Sequence, residues 1–145
     1  MLQAIEKGYL PPEIRCPWCG AKNLKGKSIC SSCGKSLLVN PRLIIKTKSF
    51  RKLIPKIYKL TKNSMIIGRT PYWATGPKPD IMISDPKVSR NHARIYRDRS
   101  GQWCIRDLNS TNGTFVNGAR LFSACILQEG DIIKVGETEL EFRLS

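Results

Sequence analysis

Four cysteines set the tightest constraint on this chain. Cys16-Pro17-Trp18-Cys19-Gly20 and Cys30-Ser31-Ser32-Cys33-Gly34 give the spacing C-x2-C-x10-C-x2-C. Each x2 pair can grip one metal ion from a tight turn, and four thiolates complete the tetrahedron that Zn²⁺ takes in a structural site. A lone pair would fit a redox motif as well. Two pairs, each followed by a glycine, point to zinc, because Gly20 and Gly34 can take the positive φ that turns backbone N–H groups towards the sulfurs. With Cys16, Cys19, Cys30 and Cys33 all engaged, no coordination position stays open, so the expected metal is structural and not catalytic. A stretch this short cannot fold on its apolar residues alone, and the metal would supply its folding energy.

The chemistry of these pairs stops near Val39-Asn40-Pro41, which reads as a junction. The expected organisation is a tail over 1–13 ending in Pro11-Pro12, a ribbon over 14–38, the junction 39–41 and a second module over 42–145. The stretch Cys16 to Leu38 resembles the short zinc ribbons at the N-terminus of many prokaryotic regulatory proteins. Trp18 lies within the first cysteine pair, where it either makes an exposed contact or packs over the ribbon.

From Leu43 onward, short apolar runs alternate with Gly, Pro and Asn. The expected strands are Leu43–Ile45, Ile57–Leu60, Met65–Ile67, Ile81–Ile83, Ala93–Arg97, Trp103–Arg106, Thr114–Val116, Ile132–Val135 and Leu140–Leu144. No segment keeps a helical period for three turns. Strands at this density, broken by turn residues, argue an all-β fold built as a two-sheet sandwich. Asn112-Gly113 and Asn117-Gly118 are hairpin signals on either side of Thr114-Phe115-Val116. Cys104 and Cys125 have no partner at ligand spacing and read as buried core thiols.

Within this module, Ser89-Arg90-Asn91-His92 places a hydroxyl, a guanidinium, an amide and the chain's one histidine in succession, just before the strand at Ala93. No carboxylate intervenes between Asp85 and Asp98. Donors at that density suit an anion, above all a phosphate carried by a partner protein. His92 makes a poor metal ligand, since no second histidine exists. Taken singly, Arg69 would pass for a surface turn arginine and Ser89 for a turn cap.

Four ordered blocks carry a family resemblance: Gly68-Arg69, Val88-Ser89-Arg90-Asn91-His92-Ala93-Arg94-Ile95, Asp107 to Gly118, and Leu127 to Gly136. Together they resemble forkhead-associated (FHA) domains, over roughly Arg42 to Leu144. The resemblance implies a β-sandwich whose loops at one end bind a phosphothreonine peptide. By position, Arg69 matches the arginine that contacts the phosphate, and Ser89 the serine whose hydroxyl donates to it. Arg90 stands where a further phosphate-contacting residue is often found. Thr111 and Asn112 match the second binding loop, where the Asn side chain holds the peptide backbone. His92 matches a loop-bracing histidine, Asn117 resembles a second brace, and Gly68 precedes the arginine. Lys87 sits where the family can read the side chain three residues after the phosphothreonine, with Asp or Glu as its expected preference. One departure stands out: the loop from Thr70 to Pro79, with Tyr72 and Trp73, is longer than in compact members.

The implied partners are threonine-phosphorylated proteins, with a Ser/Thr kinase as upstream modifier. The pairing with a ribbon also resembles crenarchaeal regulators of archaellum genes, which implies control of motility-gene expression. Charge adds a second class of partner. Of the formal net charge of +14, the residues up to Lys62 hold 14 Lys/Arg against Glu6 and Glu13, and the segment 42–62 holds eight basic residues and no acid. Such a run suits nucleic acid or another acidic surface, or is a solvated face kept soluble by lysine. A scaffold that binds through the Tyr72-Trp73 loop without phosphorylation is a third reading. No paired carboxylates and no phosphate-cradling P-loop are present, and Ser89 with His92 is the one conceivable nucleophile–base pair, so binding and not catalysis is expected, with no small-molecule substrate. No signal peptide or membrane-spanning run is visible, which leads to a cytoplasmic expectation with no membrane partner.

Overall fold

The computed structural model describes residues 12–46, 56–71 and 76–145. Thirteen strands and no helix appear among them. Two strands belong to the ribbon: β1 (Glu13–Arg15) pairs antiparallel with β2 (Lys22–Leu24), and Pro12 O accepts a bond from Lys25 N. The other eleven form two sheets.

One sheet has six strands. It holds β3 (Arg42–Ile45), β4 (Ile57–Lys59), β9 (Thr114–Val116), β10 (Ala119–Arg120), β12 (Ile132–Val135) and β13 (Thr138–Arg143), in the order β10-β9-β12-β13-β3-β4. The second has five: β5 (Ser64–Arg69), β6 (Ile81–Ile83), β7 (Ala93–Arg97), β8 (Trp103–Asp107) and β11 (Cys125–Ile126), in the order β11-β8-β7-β5-β6. The period of two decides which side chains meet. Leu43, Ile133, Val135, Leu140 and Phe142 from the first sheet and Ile67, Ile81, Ile95 and Ile105 from the second are all fully buried in one core, while their strand neighbours, apart from Gly68 and Cys104, are partly or fully exposed.

Each expected strand is present to within a few residues, the last running Thr138–Arg143 instead of Leu140–Leu144. The two-residue strands β10 and β11 were not anticipated, because a pair of residues has no readable alternation. β5 and β6 pair in parallel, in register Ile67↔Ile81 to Arg69↔Ile83. Parallel neighbours cannot be joined by a tight turn and need a crossover of about a dozen residues. The length of the 70–80 connection follows from that pairing. Tyr72 and Trp73 lie outside the described residues, as do Lys48, Arg51 and Lys52 of the basic run.

The ribbon seats on the turn between β7 and β8. Asp98 shapes this turn by accepting from Ser100 N, Ser100 Oγ and Gln102 N. Arg15 N then donates to Ser100 O at 2.6 Å, and Trp18 packs against both the ribbon cluster and the sandwich core. Trp18 Nε1 donates to Ser36 O at 2.8 Å, and Lys35 Nζ stands 4.7 Å from the ring centroid. Of the two sequence readings of Trp18, the structure shows packing. At the junction, Val39 packs on the core and Asn40 N donates to Leu144 O.

Candidate functional site

Three loops converge at the end of the sandwich away from the ribbon: the end of β5, the 84–92 connection and the 108–113 connection. β7 separates the two ends, since its four steps from Ala93 to Arg97 span about 13 Å. The loops are tied by backbone bonds. Arg69 N donates to Ser89 O, His92 N to Ile67 O and Leu108 N to His92 O. Gly68 is required by a close approach: a Cβ there would lie 1.8 Å from Arg90 O and 2.9 Å from its carbonyl carbon. Only glycine lets β5 run so near the loop that carries Ser89.

Within this frame the sequence-predicted residues fall as follows. Arg69 is half-buried and its Nη1 donates to Val88 O at 3.3 Å, which sets the guanidinium beside Ser89. Ser89 Oγ accepts the Thr111 N–H at 3.1 Å. Because a hydroxyl that accepts through a lone pair keeps its own proton to donate, Ser89 can still offer an O–H to an incoming oxygen. Arg90 and Thr111 are exposed. His92 is fully buried; Nδ1 accepts Ser89 N–H at 3.0 Å, so Nε2 carries the proton and donates to Gly113 O at 2.8 Å. Both ring nitrogens are thus committed to backbone, and neither faces Ser89 Oγ as a general base would.

Asn112 and Lys87 are engaged with each other's loops. Asn112 Nδ2 donates to Lys87 O at 2.8 Å, tying the 84–92 and 108–113 connections together and leaving Oδ1 to accept. Lys87 Nζ is ion-paired with Glu137 at 2.7 Å, both side chains exposed. The hydrogen bond to Glu137 raises the Lys87 pKa and lowers that of Glu137. An acidic side chain reaching Lys87 would compete with Glu137. Asn117 stands apart from this cluster. It has φ 50°, and its amide bridges Asp131 Oδ1 and Ile132 N at 2.9 Å each, bracing the β9–β10 turn against the start of β12.

Two carboxylates hold the loops from beneath, and sequence reasoning missed both. Asp107 accepts from Ser110 N, Ser110 Oγ and Thr114 Oγ1. Asp85 accepts from Lys87 N, Glu137 N and Thr138 Oγ1. Burial opposes the charge on each, but these donors together outweigh it and hold both carboxyls below the usual range. A faint signal was present in Asp107-x-x-Ser110, the pattern of an Asx-type turn. For Asp85 the local contact to Lys87 N is an ordinary Asx turn, and its ties to Glu137 and Thr138 had no signal because those residues come from the far end of the chain.

At the other end the four cysteine sulfurs all lie within 4.8 Å of one another. Cys16–Cys33 and Cys19–Cys30 are each 3.7 Å apart, close to the edge of about 3.8 Å that a tetrahedron with Zn–S bonds of about 2.3 Å requires. Gly20 and Gly34 have φ 79° and 75°. Trp18 N and Ser32 N point at Cys16 and Cys30 Sγ. The Cys33 N–H and the Asn23 amide hold the Cys30 thiol down at about 6, whereas burial pushes Cys16 up to about 12. Asn23 is buried and also accepts Ser31 N, so it locks the second pair; it too escaped the sequence reading. Cys104 is buried as expected, with its thiol pushed up to about 11 by burial, while Cys125 is only partly covered.

Comparison with known proteins bears on the family and the fold. The FHA-domain sequence family matches residues 65–136 and the zinc-ribbon family residues 15–37. A solved structure from a study of phosphothreonine-dependent FHA domain interactions superposes with a TM-score of 0.59 at 33% identity, covering 73% of this chain and 97% of that one. The chain belongs to the FHA family. The FHA domain of FhaA, solved in complex with the intracellular domain of Rv3910, superposes with a TM-score of 0.57 at 34% identity, over 71% of this chain and 99% of that one. Among curated relatives, FhaB of Mycobacterium tuberculosis is 30% identical over 58% of this chain and 50% of its own length. The transcriptional regulatory protein EmbR of the same organism is 39% identical over 46% of this chain and 17% of its own. The chain therefore spans half or less of the length of these two curated relatives.

Proposed function

We propose that this FHA-domain protein is a phosphothreonine-dependent adaptor in Ser/Thr-kinase signalling, with one Zn²⁺ holding its ribbon folded. The observation that carries the reading is the Ser89 hydroxyl, fixed by the Thr111 amide beside the Arg69 guanidinium. A phosphothreonine brings about −1.5 to −2 charges and three acceptor oxygens. Arg69 meets it with charge-assisted bonds, Ser89 with an O–H, and Arg90 from the exposed side, while Asn112 Oδ1 accepts from the peptide backbone. Lys87 selects an acidic residue three positions after the phosphothreonine only if that residue outcompetes Glu137. The site binds and does not turn over, because His92 serves the backbone. Four cysteines set for zinc and two more outside any disulfide suit a reducing, cytoplasmic setting.

The narrower form of this reading is control of gene expression, archaellum genes included, since the ribbon–FHA pairing resembles crenarchaeal regulators of that system and EmbR is a transcriptional regulator. A second reading is nucleic-acid binding through the ribbon and the basic segment 42–62: the ribbon holds Arg15, Lys22, Lys25, Lys27 and Lys35 against a single acid, Glu13, and the described part of the segment adds Arg42, Lys46, Lys56, Lys59 and Lys62. A salt titration on duplex DNA tests it, with affinity expected to fall steeply as salt rises.

The adaptor reading is tested with a phosphothreonine peptide library and its unphosphorylated counterpart. Wild type should bind only the phosphorylated set. Arg69→Ala should lose about ten- to a hundredfold in affinity and Ser89→Ala about tenfold. Phosphate-independent binding, or none, would overturn it.

A further inference from the structure

Beside these loops lies a groove of about 660 Å³ whose lining includes Arg106, Asp107, Asn109, Ser110, Arg120 and Phe122. Its charge is unbalanced. Arg106 sits directly across from Arg94 in the β7–β8 register, and both are exposed. Like charges placed opposite on a sheet destabilise it unless an anion lies between or beside them. Neither arginine has a carboxylate partner among the described residues, and nor does Arg120. The nearest acid by sequence, Asp107, is occupied by Ser110 and Thr114. Arg120 is instead held by aromatic contact, its guanidinium carbon 6.0 Å from the ring centroid of Phe122, which is 91% exposed. It also approaches the recognition loop closely, since a Cβ on Gly113 would lie 2.7 Å from Arg120 Nε.

We propose that this groove binds a second phosphoryl group on the same partner chain that presents the phosphothreonine. The proposal rests on the phosphothreonine reading and extends it. Two guanidiniums at one groove match the charge and the several acceptor oxygens of a phosphate better than the single charge of a carboxylate. Continuity with the first site sets the spacing. Thr111 and Asn112 belong to the phosphothreonine cluster, and Asn109 and Ser110, immediately before them, line the groove. Two residues of extended chain span at most about 7 Å, so a second phosphoresidue within roughly four positions of the first can reach both. The Arg94–Arg106 juxtaposition is then a store of positive potential that a dianion relieves.

The test uses the full, zinc-loaded chain and synthetic peptides of one sequence carrying a phosphothreonine alone, or with a phosphoserine at each position from four before to four after. Titration at fixed salt should show at least one doubly phosphorylated peptide binding about tenfold tighter than the singly phosphorylated one. Arg106→Gln combined with Arg120→Gln should abolish that gain and leave the singly phosphorylated affinity unchanged; both side chains are exposed, and an unaltered Tm shows that the variant is folded. Binding of the singly phosphorylated peptide with no gain at any position overturns the groove proposal alone. Failure of wild type to bind any phosphopeptide overturns the phosphothreonine reading and this proposal with it. A gain that survives the double substitution, or that glutamate reproduces in place of phosphoserine, overturns the assignment of the groove to phosphate.

Discussion

His92 Nε2 donates to the carbonyl oxygen of Gly113 across 2.8 Å, in a position closed to solvent. With Nδ1 accepting Ser89 N–H, one imidazole sets the relative position of the 84–92 and 108–113 connections. His92→Ala would leave a buried carbonyl and an amide without their partner and open a void. The expected cost is about 2–4 kcal/mol of stability, read as a lowered midpoint in denaturant, together with weaker phosphopeptide binding. An unchanged midpoint would show that the brace is dispensable.

Gly68→Ala should act on binding as much as on stability. The new Cβ would meet backbone atoms, Arg90 O at 1.8 Å and its carbon at 2.9 Å, which cannot rotate away as a side chain can. The 84–92 loop must then move, and Ser89 with it. Phosphopeptide affinity is expected to fall at least tenfold, and an affinity within twofold of wild type would show that the close approach at Gly68 is not needed for binding.

Acid should loosen the site from beneath. Asp85 and Asp107 have depressed folded-state pKa values, because their N–H and hydroxyl donors outweigh the cost of burial. A carboxyl depressed on folding contributes stability that is complete above its unfolded value, about 3.9, and is lost as pH falls through the folded value. Stability of the wild type should therefore decline with falling pH below about 4, and Asp85→Asn and Asp107→Asn should each flatten that decline. Equal slopes in wild type and variants would remove these two residues from the account.

Metal removal should separate the modules. A chelator is expected to release one Zn²⁺ per chain and unfold the ribbon, exposing Trp18 and shifting its fluorescence to the red. The sandwich has its own core, from Leu43 to Leu144, and should keep its phosphopeptide affinity to within about twofold. Cys30→Ser should behave as the chelated protein does. Loss of phosphopeptide binding on chelation would show that the ribbon supports the site across the length of β7.

How much of this was legible beforehand differs residue by residue. The cysteine spacing gave the ribbon, because metal geometry constrains residues that are near neighbours in the chain. The density of short apolar runs broken by Gly, Pro and Asn gave the sandwich, because strands that short must stack as sheets to bury a common face. Arg69, Ser89, His92, Thr111 and Asn112 were marked by resemblance, and they do converge on one end of the molecule.

What the chain alone could not decide were relationships between distant segments. The parallel β5–β6 pairing, the seat of the ribbon on Ser100, the ties from Asp85 to Glu137 and Thr138, and the Lys87–Glu137 ion pair all join residues whose sequence separation carries no periodic signal. The same holds for the meeting of Arg94, Arg106 and Arg120. Local chemistry is written in local spacing, whereas which charges stand face to face is settled only when the sheets close over their common core.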